Sequence, residues 1–358
     1  MTNRVCELLG ITHPIIQAPM AGVTTVALAA AASNAGAIGT LAFGAMNAAQ
    51  GRAQLLEMRE ATRQPYCLNF FCHQPAKKDT QRETKWLNYL APFFAEFDAL
   101  PPTELTEIYK SFVDDEDMLA AVVEARPRAV SLHFGLPPAH YIAALKEAGC
   151  VLLATATTLE EAKKIEQAGI DIIVAQGYEA GGHRGTFHPE RGDSSLGTFA
   201  LVQLLARHTK LPIVAAGGIM DGQGIAAAMA LGADAVQLGT AFILCPESSA
   251  NAGYRALLKG PAAHQTAVTA VISGRAARGL PNRQFSDVGA ATHPAIPDYP
   301  IAYDAAKKLH AAALQRGNLE FSVNWAGQGA PLAREMPAAE LVKVLMQELA
   351  VARGKIIA

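Results

Sequence analysis

At 358 residues, with 30 Lys+Arg against 32 Asp+Glu and a formal net charge of −2, the chain has no basic block for a nucleic acid or an anionic membrane. A small molecule is the expected partner. Five cysteines, an odd number without CxxC pairs in a chain this long, exclude a disulfide scaffold and suit reduced thiols in the cytoplasm.

The opening MTNRVCELLGI lacks the long apolar core of a signal peptide. Residues 14–51 contain no Asp, Glu, Lys or Arg, but they are mainly Ala, Gly and Thr, broken by Pro19 and Asn34. A membrane span needs about 20 strongly apolar residues, so this stretch reads as protein interior.

Short apolar runs then alternate with Ala-rich amphipathic stretches. The runs are residues 14–20 (PIIQAPM), 37–42, 66–71 (YCLNFF), 129–134, 151–156, 171–176, 212–216 and 235–239. Helices are predicted at 25–33, 48–61, 138–148, 159–168, 198–208, 221–231 and near 249–258. The joins QAGIDII and LGADAV each put Gly, one residue and Asp between helix and strand, a repeated punctuation in which Asp accepts backbone N–H bonds in the turn. Eight such units predict an α/β fold, a (β/α)8 TIM barrel, rather than a doubly wound sheet, because no GxGxxG follows a strand. The barrel is assigned to residues 1–245 and 320–358, with an extra helix pair near 74–124. Residues 246–319 form a smaller cap inserted after strand eight, over the C-terminal strand ends. A final helix, about 337–352, closes the barrel.

In this fold chemistry lies at the C-terminal ends of the strands. Residues 176–185 (QGYEAGGHRG) follow the buried strand DIIVA, and Gly181 and Gly182 remove the Cβ atoms that would hold a ligand off. His183 is then the first acid–base candidate, although a loop histidine can also simply bond its neighbours. Gly217–Gly218 and Gly239–Thr240, at the ends of strands seven and eight, make the usual barrel phosphate site. The neutral amides Asn69, Gln176 and Gln237 suit a heteroaromatic ring, and the turn at Met20 gives it a surface to lie on. With no metal-ligand spacing and no strand Lys placed for a Schiff base, a phosphate site beside a ring site points to flavin mononucleotide (FMN).

The motifs QAPMAGV (17–23), SLHFGLP (131–137), QGYEAGGHRG (176–185), AAGGI (215–219), GADAVQLGTAFI (232–243) and NWAGQG (324–329) occur in order along nearly the whole chain. Together they resemble the class I nitronate monooxygenases, formerly called 2-nitropropane dioxygenases. AAGGI and GADAVQLGT are shared with related flavin barrels, whereas HFGLP with AGGHRG is more specific. The resemblance implies non-covalent FMN on Met20, Asn69, Gln176, Gly181, Gly217, Gly218, Gln237, Gly239 and Thr240. It implies His183 on the substrate side of the flavin with His133 nearby, as a catalytic or a scaffold residue. The implied reaction is oxidation of an alkyl nitronate by O2, through a flavosemiquinone and without NAD(P)H, to a carbonyl compound with nitrite or nitrate.

Tyr299, Tyr303 and Lys307 fall at fourfold spacing in the cap, which puts the latter two on one helix face if a helix begins near Pro300. They would meet an anionic tail such as the carboxylate of propionate 3-nitronate, or else pack the cap; Tyr109 and Tyr254 are further candidates. The nearest alternative is an NADH:quinone reductase on the same flavin barrel. An enoyl reductase acting on acyl-carrier protein would need a basic docking patch that the sequence does not display, and a non-catalytic flavin binder would not need His183. The oligomeric state is left open.

Overall fold

The computed structural model describes residues 3–357; positions 1, 2 and 358 of the expected barrel segments lie outside the described residues. The strands are β1 (Ile15–Gln17), β2 (Gly39–Ala42), β3 (Tyr66–Phe71), β4 (Ala129–His133), β5 (Val151–Ala156), β6 (Ile172–Gln176), β7 (Gly182–His183), β8 (Ile213–Ala216), β9 (Ala235–Leu238), β10 (Ala267–Thr269) and β11 (Ala277–Gly279). Eight of them pair in parallel in the order β1-β9-β8-β6-β5-β4-β3-β2. Between the two ends of that order, Ile38 N–H donates to the Ile15 carbonyl at 3.0 Å and the Ile38 carbonyl accepts from Gln17 N–H at 2.9 Å. The sheet thereby curls into a nearly closed barrel with its edges paired. The run 14–20 forms only three residues of strand, because Pro19 has no N–H to give the ladder.

Side-chain alternation divides the barrel into two cores. Outward residues such as Leu68, Val130, Leu152 and Ile173 pack under the helices, against Leu119, Leu145, Ile165 and Leu205. Inward residues including Ile16, Ile38, Cys67, Leu153 and Ile172 fill the interior together with Val5 and Leu9. The latter two belong to a helix at Arg4–Leu9, which the sequence reading had not placed and which joins the interior core.

Helix starts follow capping chemistry: Thr25, Asn47, Thr158 and Asp221 each accept a backbone N–H of the first turn. The repeated Gly-x-Asp punctuation works differently from its reading in the sequence. Asp171 Oδ2 accepts from Leu152 N–H at 2.8 Å and Asp234 Oδ2 from Ile213 N–H at 2.9 Å, so each Asp ties the foot of the neighbouring strand rather than its own turn.

The expected helix pair near 74–124 separates into two environments. Helix Glu116–Ala125 supplies Met118, Leu119 and Val122 to the barrel core, whereas Trp86, Leu90 and Phe94 of helix Thr80–Ala95 join a second core with Ile272, Leu309 and Phe321. Helix Ala338–Ile357 packs between Gly222–Ala230 and Val26–Asn34, where the eighth barrel helix belongs. The expected helix near 249–258, observed as Ala252–Lys259, packs instead against Ile243, Leu280 and Ala326. A three-stranded sheet in the order β10-β11-β7 links the inserted segment to the loop after β6.

Candidate active site

The inward register that is apolar low in the barrel turns polar at the C-terminal rim. Two residues beyond Cys67 comes Asn69; beyond Ala129 come Ser131 and His133; beyond Leu153 comes Thr155; beyond Val174 comes Gln176; and beyond Ala235 comes Gln237. This polar layer is the floor of a cavity of about 440 Å³, within the usual range for small-molecule sites. Ser131 and Thr155 went unnoticed in the sequence, though their spacing from Ala129 and Leu153 carries the signal.

All sixteen residues singled out from sequence border this one cavity. Met20, Gly217, Gly218, Gly239 and Thr240 lie together along it, on the turns after β1, β8 and β9. Gly217 (φ 117°) and Gly218 (φ 73°) adopt backbone conformations that strain any side chain. Gly181 serves packing: a Cβ there would stand 2.5 Å from Gly327 N, so its absence lets residues 324–329 close over the rim. Gly327 N–H in turn donates to Thr240 Oγ1 at 3.0 Å.

The floor amides are oriented by their partners. Asn69 Nδ2 donates toward Ser131 O and Oγ at 3.2 and 3.3 Å, which leaves Oδ1 as an acceptor on the cavity side. Gln176 Oε1 accepts from Gly185 N–H at 2.8 Å and from Arg184 Nη1 at 3.1 Å, so its Nε2 must face the other way. One N–H of Nε2 donates to the His183 carbonyl at 3.0 Å and the second remains for a ligand. An acceptor and a donor on one floor fit the edge of a flavin ring, and the glycine turns leave room for its phosphate.

His183 is not in a free loop. As part of β7 it pairs antiparallel with Ala277 of β11, so the inserted segment holds it. Its Nε2 lies 2.8 Å from Ser273 Oγ, and its ring is edge-on to Trp325, Tyr299, Phe134 and Tyr303 with centroids 5.3 to 6.1 Å apart. Burial, then the charges of His133, Arg275 and His73, pushes its pKa down to about 3, so the ring is neutral at physiological pH. His133 has both nitrogens engaged, with Nδ1 3.0 Å from Thr155 Oγ1 and Nε2 donating to the His183 carbonyl at 3.2 Å. Its neighbours hold it as a brace beneath the His183 backbone.

The remaining candidates also line the cavity. Helix Ile301–Gln315 carries Tyr303 and Lys307, and Lys307 Nζ lies 4.8 Å from the Tyr109 ring centroid and 5.3 Å from that of Tyr303. Tyr299 is buried with its hydroxyl unpartnered, and the Tyr254 hydroxyl donates to the Trp325 carbonyl. Among the described residues, no Asp or Glu lines the cavity and Lys307 is the one Lys or Arg that does. Sequence reasoning missed Ser273 and Arg275, which only strand pairing of the inserted segment brings to His183; Trp325 lay in the quoted motif NWAGQG but was not given a place at the site. No group of three or more His, Cys, Asp or Glu among the described residues is placed to hold a metal ion.

A barrel whose polar strand ends, glycine turns and capped histidine converge on one cavity is that of an α/β-barrel enzyme acting on a small molecule. The family model described as nitronate monooxygenase matches residues 2–348. A nitronate monooxygenase of Pseudomonas aeruginosa is 59% identical over 349 residues, 98% of this chain and 99% of its own. One from Paraburkholderia phytofirmans is 56% identical over 345 residues, 96% and 93% of the two chains. The nitroalkane oxidase structure from Streptomyces ansochromogenes superposes with a TM-score of 0.87 at 37% identity, covering 99% of both chains. FabK from Thermotoga maritima gives 0.76 at 29%, covering 99% of this chain and 98% of that one. The chain belongs to the nitronate monooxygenase family. Among the described residues no helix is long and apolar enough to cross a membrane.

Proposed function

We propose that this chain oxidises alkyl nitronates with O2, that it does so with FMN held non-covalently, and that propionate 3-nitronate is the preferred substrate. The observation that carries the reading is electrostatic: a cavity lined by no carboxylate among the described residues, with Lys307 in its lining and an uncharged His183, accommodates an anion. The turns at Gly217–Gly218 and Gly239–Thr240 would hold the phosphate, while Asn69, Gln176 and Gln237 would orient the ring edge and Met20 and Gly181 would flank it. Bound FMN supplies the electron acceptor that connects substrate to O2. Lys307, with Tyr303 and Tyr109 beside it, would receive the substrate carboxylate, and Tyr299 and Tyr254 would shape the wall that excludes water.

A nitronate is already a carbanion, so no base is needed to begin, and the neutral state of His183 is compatible with its binding. With a neutral nitroalkane the same neutral ring can accept the α-proton. Five free cysteines, four of them buried, support a cytoplasmic setting, in which the enzyme would remove toxic nitronates.

Oxygen uptake by the purified yellow protein with propionate 3-nitronate, alongside an anaerobic spectrum after adding NADH, tests the reading. Rapid uptake with an NADH-insensitive flavin is expected. Absence of uptake with rapid bleaching by NADH would move the assignment to an NADH:quinone reductase. A His183→Asn variant that keeps FMN and full turnover of a neutral nitroalkane such as nitroethane would remove His183 from proton abstraction.

A further inference from the structure

Ser273 is fully buried on the turn between β10 and β11, and its hydroxyl has three neighbours. Arg275 N–H donates to Ser273 Oγ at 3.3 Å, the hydroxyl proton can go to the Arg275 carbonyl at 3.1 Å, and His183 Nε2 lies at 2.8 Å. A hydroxyl has one proton and two lone pairs. If that proton went to His183, the buried Arg275 carbonyl would lose the one side-chain donor recorded for it, at a cost of an unmade buried hydrogen bond. The arrangement that satisfies every group has Ser273 donating to the Arg275 carbonyl and accepting from Arg275 N–H and from His183 Nε2–H. A neutral imidazole with its proton on Nε2 has its basic lone pair on Nδ1. That nitrogen makes no hydrogen bond to the described residues and is not closed off from the cavity that His183 lines.

We propose that Ser273 is a positioning residue that holds His183 in the Nε2–H tautomer, making Nδ1 the atom that takes the proton when a neutral nitroalkane occupies the cavity. The inference rests on the nitronate reading of the site and extends it to the protonated form of the substrate. In the step, the α-carbon C–H bond breaks, the proton forms a bond to Nδ1, and the electron pair becomes the C=N double bond of the nitronate. One cation and one anion form together, so charge balances without an oxidant. The resulting imidazolium keeps its Nε2–H bond to Ser273 Oγ. A nitronate supplied from outside skips this step, so Ser273 governs one substrate class and not the other.

The test combines a spectrum with a substrate comparison. Nitrogen-15 NMR of histidine-labelled, FMN-loaded protein, with His183→Asn used to assign the signal, is expected to show a bare Nδ1 and a protonated Nε2. In Ser273→Ala both tautomers should populate, and kcat/KM for nitroethane should fall at least about tenfold while that for ethyl nitronate stays within about twofold. Ser273→Thr, which keeps the hydroxyl, should restore the wild-type tautomer. A bare Nε2 in the wild type would overturn the proposal even if no variant folds, and so would unchanged nitroethane turnover in Ser273→Ala. Equal losses on both substrates would reduce Ser273 to a packing role and equally overturn it. A wild type that consumes no O2 with either substrate would sink the nitronate reading, while its spectrum would still decide the tautomer.

Discussion

Arg184 Nη1 donates to Gln176 Oε1 at 3.1 Å, and that contact, together with Gly185 N–H at 2.8 Å, decides which end of the Gln176 amide faces the cavity. The same guanidinium nitrogen donates to the carbonyls of Gln176 and Gly177 at 3.1 and 2.8 Å, while Nε reaches Asp193 at 2.7 Å. The Arg184 side chain is fully buried, so it acts on a ligand only through the amide it orients.

Asp193→Asn removes the carboxylate that neutralises Arg184. It is expected to lower stability by about 1–3 kcal/mol in denaturant unfolding, since a buried charge loses its charged partner. FMN affinity, followed by fluorescence titration, should stay within about twofold, because Gly185 N–H still holds Gln176 Oε1 at 2.8 Å and the His183 carbonyl still holds its Nε2 at 3.0 Å. A large loss of FMN affinity in a folded variant would show that Arg184, rather than Gly185, sets the direction of the amide.

Lys307→Met should raise KM for propionate 3-nitronate about tenfold, which corresponds to about 1.4 kcal/mol, and leave kcat nearly unchanged. On the proposed reading the charge would meet the substrate carboxylate, which does not react. Ethyl nitronate, without a carboxylate, should show no change. Steady-state oxygen uptake with the two substrates distinguishes a charge contact from general damage, and equal effects on both would assign Lys307 to packing.

Stability should fall steeply on mild acidification. Burial, then the Arg275 charge, holds the His73 pKa down at about 4; burial holds His133 at about 4 despite its bond to the His183 carbonyl; and His183 lies at about 3. Unfolded histidines titrate near about 6.5, so below that pH the unfolded chain binds protons that the native state refuses. These groups therefore stabilise fully above about pH 6.5, and their contribution is lost as pH falls toward 4. Each can contribute up to about 1.4 kcal/mol per pH unit across the window. Unfolding free energies at pH 7, 6 and 5 should show the slope, and His73→Gln should flatten it by about one third. A free energy constant from pH 7 to 5 would contradict the buried neutral state of all three.

Much of the barrel was legible because its physics is local. A β-branched run such as DIIVA needs cover on both faces, and a run of that kind recurring between amphipathic stretches leaves few architectures open. The punctuating Asp171 and Asp234 were legible as residues but not as bonds, since their acceptor oxygens reach a neighbouring strand that only barrel closure brings near. The segment 74–124 divides between two cores, and its own amphipathicity could not say which core each helix would join.

At the site, the chain by itself determined the chemical inventory: an amide floor, glycine turns at two adjacent strand ends, and one histidine in QGYEAGGHRG. Periodicity and backbone sterics set these within a few residues of each other. The tertiary structure decided the protonation and direction of those groups. Ser273 lies 90 residues from His183 and reaches its ring only because β11 pairs with β7, and Arg184 turns Gln176 only because both are buried against one loop. Hydrogen-bond direction and desolvation depend on which distant atoms fill the same small volume, and that information belongs to the packed chain alone.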